Sequence, residues 1–227
     1  MALIMALGAH PDDIEFGCGG ILAKMRHLGH SVVMVDLTSG EKGSHGTPDI
    51  RKKEGLKAAK LIGAERIFLD FPDCEISDTN EGRLELVKII RKYGPQLVLA
   101  PMWEGAENHP DHVALGKMAR YACRYARFSK ILPEFTVHTV QGILHYLQRN
   151  FDKPNFLVDV SPFIEIWKEM ILCHESQLKT FDYLDWSLRA ASWLGMTIGV
   201  PYAQGLVSSN PIVIEDMMDI ARGTREL

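Results

Sequence analysis

Residues 2–15 read ALIMALGAHPDDIE. Ala2–Leu7 is a short apolar run that stops at Gly8, the pattern of a buried strand entering a turn. The segment that follows, Ala9-His10-Pro11-Asp12-Asp13-Ile14-Glu15, is dense in groups that bind metals or move protons. Beyond it, apolar runs alternate with helical periodicities through the first half of the chain. Gly19–Leu28 carries Ile21, Leu22, Met25 and Leu28 at helical spacing. Ser31–Leu37 is β-branched and reads as a strand. Ile50–Ile62 reads as a helix with Ile50, Leu56, Ala59 and Leu61 or Ile62 inward. Arg66–Leu69 is a short strand and Leu84–Tyr93 a helix. Leu97–Ala100 is a buried strand closed by Pro101. Pro110–Tyr125 is a helix whose proline sits in the first turn, where a missing N–H costs little. The second half is less regular. It offers strands at Val140–Tyr146 and Phe156–Val160, and helices at Pro162–His174 and Tyr183–Trp193.

Such alternation predicts an α/β fold with a mostly parallel sheet covered on both faces. No Pro/Gly/Ser linker divides the chain, so residues 1–227 read as a single domain. Ligands of open parallel sheets sit beyond the carboxyl ends of the strands, where strand order reverses. Two loops qualify, Gly8–Gly20 and Pro101–His112, and both are rich in ligand-type residues. The second contains Asn108-His109-Pro110-Asp111-His112. A catalytic zinc keeps three protein ligands and an open position for water. One His and one carboxylate from the first loop, plus one His from the second, would complete that set. Asp12 and Asp13 are adjacent and cannot easily point the same way, so one can bind metal while the other faces water. The alternative is turn chemistry, in which proline fixes φ and Asp12 or Asp111 merely caps a helix. Two such loops at two strand ends favour the metal. Gly17, Gly19 and Gly20 lack dinucleotide-loop spacing and read as room for close packing. Glu15 is expected to orient a metal-binding imidazole.

Composition narrows the partners. The chain is 46% hydrophobic and 24% charged with net charge −4, and no run of Lys or Arg provides a basic footprint for nucleic acid. No apolar stretch is long enough to span a bilayer, and the N-terminus lacks the positive region of a secretory leader. Cys18, Cys74, Cys123 and Cys173 form no CxxC pair and read as reduced, buried thiols of a cytoplasmic protein.

The AHPDD segment followed by HPDH resembles the PIG-L/LmbE-like zinc deacetylases. Asp36-Leu37-Thr38, Gly40-Glu41, Gly46-Thr47-Pro48, Arg51 with Glu54, Phe71-Pro72-Asp73, residues 153–156, Asp159-Val160-Ser161, Glu175-Ser176-Gln177 and Gly199–Ala203 extend the likeness over nearly the whole chain. It is similar above all to the bacillithiol-biosynthesis branch of N-acetylglucosaminyl deacetylases. The resemblance implies a Rossmann-like three-layer sandwich, a small N-acetyl amino sugar as substrate, and homo-oligomers, commonly hexamers. It implies Zn2+, or another divalent metal, on His10, Asp13 and His112. It implies Asp12 as general base and His109 as the group that stabilises the tetrahedral intermediate and protonates the amine. Arg51 and Asp73 match positions that hold sugar hydroxyls, and Tyr183 matches a mobile tyrosine at the oxyanion. Departures fall where substrate is chosen: Asn108 replaces an arginine before HPDH, two extra residues lie within 104–108, and Gln204 replaces a glutamate. Other readings are deacylation of a different N-acyl compound, a nucleotide-binding module that keeps the loops as scaffold, and a non-catalytic assembly subunit. The missing GxGxxG argues against the second, and the intact His and Asp set against the third.

Overall fold

The computed structural model describes residues 1–105, 108–147, 154–216 and 218. Two stretches singled out above fall partly outside these, Lys153 in one and Ala106 with Glu107 in the other. In chain order the elements are β1 (Leu3–Gly8), α1 (Asp13–His27), β2 (Ser31–Asp36), α2 (Pro48–Leu61), β3 (Glu65–Phe68), α3 (Asn80–Tyr93), β4 (Leu97–Pro101), α4 (Pro110–Tyr125), β5 (Gly142–Tyr146), β6 (Phe156–Asp159), α5 (Ile164–Leu172), α6 (Tyr183–Ile198) and β7 (Ala203–Ser208). The sheet has seven strands in the order β3-β2-β1-β4-β5-β7-β6. The first five are mutually parallel, and β7 runs antiparallel to both β5 and β6.

Side-chain alternation along these strands builds the layers. Ile4, Ala6, Val32, Met34 and Leu99 face one side, with Ile14, Leu22, Trp167 and Met170 from α1 and α5. Met5, Leu7, Val33, Val35, Val98 and Ala100 face the other, with Leu86, Ile90, Leu115 and Met118 from α3 and α4. Burying each large apolar chain contributes roughly 1.5–3 kcal/mol relative to exposure. The expected α/β three-layer sandwich is therefore the observed architecture. Helix starts follow local chemistry. Thr47 and Thr79 cap α2 and α3 by accepting from Ile50 N and Gly82 N, and Pro48 and Pro110 stand in first turns.

Three details differ from the sequence reading. The helix α1 begins at Asp13, not Gly19, because a break at Cys18 (φ −148°) separates its first turn from the amphipathic part. In α2, Ile50, Leu56 and Leu61 are exposed, and the inward face is Arg51, Gly55, Ala58, Ala59 and Ile62. Small residues and one arginine line that side, so large apolar residues mark the wrong face. Strand β7 has no counterpart among the strands expected from the sequence. The glycines of α1 do serve close approach: a Cβ at Gly17 would stand 2.2 Å from the Tyr146 ring. Among the described residues no helix is long and apolar enough to cross a membrane.

Candidate metal centre

Strand order reverses between β1 and β4, since β2 and β3 lie to one side of β1 and β4 to the other. The loops leaving the carboxyl ends of these two neighbours meet there. Asp13, at the start of α1, turns its carboxylate back over the loop, where Oδ2 accepts from Ala9 N (2.9 Å) and His10 N (2.8 Å). Its Oδ1 stands 3.0 Å from His112 Nε2, and its Oδ2 3.4 Å from His10 Nδ1. The two imidazole nitrogens are 3.3 Å apart. His10, Asp13 and His112 thus offer three ligand atoms that all lie within 4.8 Å of one another.

The far nitrogen of His10 is held as firmly. Its Nε2 is 3.1 Å from Asp73 Oδ1 and 3.3 Å from Asp111 Oδ2. Asp111 Oδ2 also accepts from Cys74 N (2.8 Å), and Asp73 Oδ2 from Lys42 N (2.8 Å). Burial alone would lower the His10 pKa, but the carboxylates of Asp111, Asp13 and Asp73 outweigh it and push it up to about 12. For Asp13, burial works upward, yet the His112 and His10 imidazoles hold the carboxyl well below its usual range. His109 caps α4, its Nδ1 accepting from Asp111 N (3.2 Å), and its ring lies 5.1 Å from that of His10 and 5.3 Å from that of His112. Burial first, then the neighbouring imidazoles, lower its pKa.

Asp12 is buried (8% exposed) and its Oδ2 pairs with Arg51 Nη2 at 3.3 Å. Burial raises its pKa, and the Arg51 guanidinium works against that rise. Arg51 also donates from Nη1 to Gly40 O (2.9 Å). Both terminal nitrogens of Arg51 and both oxygens of Asp73 therefore meet protein groups, while Arg51 Nε is buried without a hydrogen-bond partner. Asn108 donates from Nδ2 to Glu104 O (2.8 Å), within its own loop. Tyr183 opens α6 and stacks on Phe16, with ring centroids 4.7 Å apart and 16° between planes.

The profile of the PIG-L family, GlcNAc-PI de-N-acetylase, matches residues 5–123, which hold every one of these loops except the Tyr183 segment. The diacetylchitobiose deacetylase of Thermococcus kodakarensis is 32% identical over 220 residues, covering 89% of this chain and 81% of that one. The chain belongs to the PIG-L family. Solved structures agree on the fold. The conserved protein TT1542 from Thermus thermophilus superimposes with a TM-score of 0.88 at 34% identity, over 96% of this chain and 99% of that one. The N,N'-diacetylchitobiose deacetylase from Pyrococcus horikoshii gives 0.81 at 28%, over 90% and 82%.

The donor set of this PIG-L chain fits a divalent ion on its chemistry. Two imidazole nitrogens, which are borderline donors, with one harder carboxylate oxygen form a mixed set that zinc accepts, and three protein donors leave a position open. A pocket negative enough to drive His10 so high favours a cation. The Asp73 and Asp111 contacts on His10 Nε2 fix the ring so that Nδ1 faces the other donors.

Glu15 does not do this, contrary to expectation. It lies fully buried against Arg66 and has Oε2 3.3 Å from His174 Nε2. Two positions beyond Asp13 on a helix is about 200° around the axis, which turns it away from the imidazoles. Asp111, which in the sequence reads only as a cap, is in contact with His10. Its signal is its place between His109 and His112 in a first turn. Of the cysteines, all free, Cys18 and Cys173 are buried, whereas Cys74 is exposed and Cys123 half-buried.

Proposed function

We propose that the chain is a zinc-dependent hydrolase that removes the acetyl group from an N-acetylglucosamine-type sugar. The observation that carries this is the convergence of His10, Asp13 and His112 at one point, with Asp12 next in the chain to a proposed ligand and buried on Arg51. Likeness to the diacetylchitobiose deacetylases supports the substrate class. Within it, an N-acetylglucosaminyl malate of bacillithiol type is the finer proposal. A homo-oligomer, a hexamer by family likeness, is the proposed assembly.

His10, Asp13 and His112 would hold the metal. When bound, it supplies Lewis acidity to the amide carbonyl and to water. Asp12 accepts the proton of the attacking water; burial raises its pKa, which favours proton uptake, and the Arg51 guanidinium tempers that rise. Water oxygen bonds to the acyl carbon, giving a tetrahedral centre whose oxyanion faces His109. The C–N bond then breaks, and the nitrogen leaves with the proton that Asp12 took from the water. His109, its Nδ1 held by Asp111 N, offers its remaining N–H to the oxyanion. The products are acetate and the free amino sugar.

The test joins metal analysis to acetate release from N-acetylglucosamine, its malate glycoside and diacetylchitobiose. About one metal per chain and release from at least one substrate are expected. Asp12→Ala is expected to keep its metal and lose about 10²–10⁴-fold in turnover. Normal turnover in that variant would overturn the base assignment, and no acetate from any N-acetyl sugar would overturn the activity.

A further inference from the structure

Arg51 comes from the first turn of α2, where the chain has just emerged from a loop with glycine at every third position. A Cβ at Gly40 (φ +64°) would stand 1.8 Å from Arg51 Nη1, at Gly43 2.9 Å from the same atom, and at Gly46 (φ +80°) 3.1 Å from Arg51 Cγ. Three glycines therefore make room for one side chain. The guanidinium commits Nη1 to Gly40 O (2.9 Å) and Nη2 to Asp12 Oδ2 (3.3 Å), and both residues of that ion pair are buried, at 4% and 8% exposed. The same loop is anchored from behind. Gln177 Nε2 donates to His45 O (2.8 Å), and Ser176 fills the space beside Gly46.

A buried carboxylate that meets a single guanidinium is held in place by it. A base displaced by about 1 Å loses about 10²-fold in rate. We propose that Arg51 is a positioning residue that acts through Asp12, and that the Gly40–Gly46 loop sets where its guanidinium stands. This inference rests on the deacetylase reading above and names how its base is held.

The test is a four-protein cycle of wild type, Arg51→Met, Asp12→Asn and the double variant, with Arg51→Lys and Gly43→Ala beside them. Each is loaded with zinc, checked for metal content and melting temperature, and assayed on the best N-acetyl sugar. Arg51→Met is expected to lower kcat about 10²-fold with KM within about threefold. Arg51→Lys recovers part of the loss, because it restores the charge without the second nitrogen. In the Asp12→Asn background Arg51→Met costs less than about threefold, since the group it acts through is already gone. Gly43→Ala, which adds one methyl against Nη1 at a position without positive φ, lowers kcat and leaves KM alone. A KM raised about tenfold or more with kcat intact would overturn the inference and make Arg51 a sugar ligand. So would an equal penalty in both backgrounds. A wild type that releases no acetate would instead overturn the deacetylase reading and this inference together.

Discussion

Two clusters of acids and imidazoles lie on either side of the first turn of α1, and they are balanced in opposite ways. The inner one sets Glu15 and Asp36 against Arg66 and His174, with all four side chains fully buried. The outer one sets Asp13, Asp73 and Asp111, all buried, against His10 and His112, whose imidazoles keep some access to solvent. Arg66 gives the inner group a permanent cation, clasping Asp36 with Nη2 at 2.9 Å from Oδ1 while also reaching Glu15. The outer group has only imidazoles to answer three carboxylates, and the charge it lacks is what a divalent ion would bring. Residue types alone do not separate a metal site from a structural ion pair. Charge balance does.

The largest effect that would undo this contrast comes from His112→Ala. Its metal is expected to fall from about one equivalent to near none, with acetate release down about 10³-fold or more. Full metal retention, measured by elemental analysis, would mean that the outer cluster does not depend on the ion. Next is Arg66→Met, which leaves two buried carboxylates without their guanidinium. A loss of about 3–5 kcal/mol is expected, lowering the melting temperature by about 10 °C, with metal stoichiometry kept. A melting temperature unchanged from wild type would show that the inner cluster is not held by its cation. Asp111→Asn refines the outer half. It removes one of two carboxylates on His10 Nε2 and is expected to weaken metal binding about 10–100-fold, read by competition with a chelating dye. Equal affinity would assign the orientation of His10 to Asp73.

The smallest effect is a pH dependence. Burial pushes the Asp36 carboxyl up to about 7, even though Arg66 pulls it down. A group whose folded pKa is raised binds more protons folded than unfolded, so its contribution to stability declines as pH climbs from the ordinary carboxylate range to about 7. Asp36→Asn lacks that titration. Its melting temperature is therefore expected to gain on wild type by a few degrees between pH 5 and pH 8. A constant difference across that range would show that Asp36 is ionised throughout.

How much of this is legible in the sequence follows from distance along the chain. His10, Asp13 and His112 stand out because each loop carries ligand-type residues directly after an apolar strand, and parallel topology brings the loops together. Most elements are readable for the same reason: their periodicity is local. Arg66 is not, because its partners lie 30 and 51 residues away and nothing in ERIF marks one strand arginine as buried. The early start of α1 is hidden by the break at Cys18, which interrupts the helical pattern. The strand β7 is hidden by Gln204 and Gly205, which spoil its alternation, although both are buried between neighbours.

That strand bears on how the protein is made. It is the last strand among the described residues, yet it sits inside the sheet, between β5 and β6. In chain order β6 precedes the strand that pairs with it, so its backbone groups find their place in the sheet only once β7 is present, whereas β1 to β5 pair without it. The sheet closes only when Ala203–Ser208 slides into the gap, and until then two bare edges are open to any passing strand.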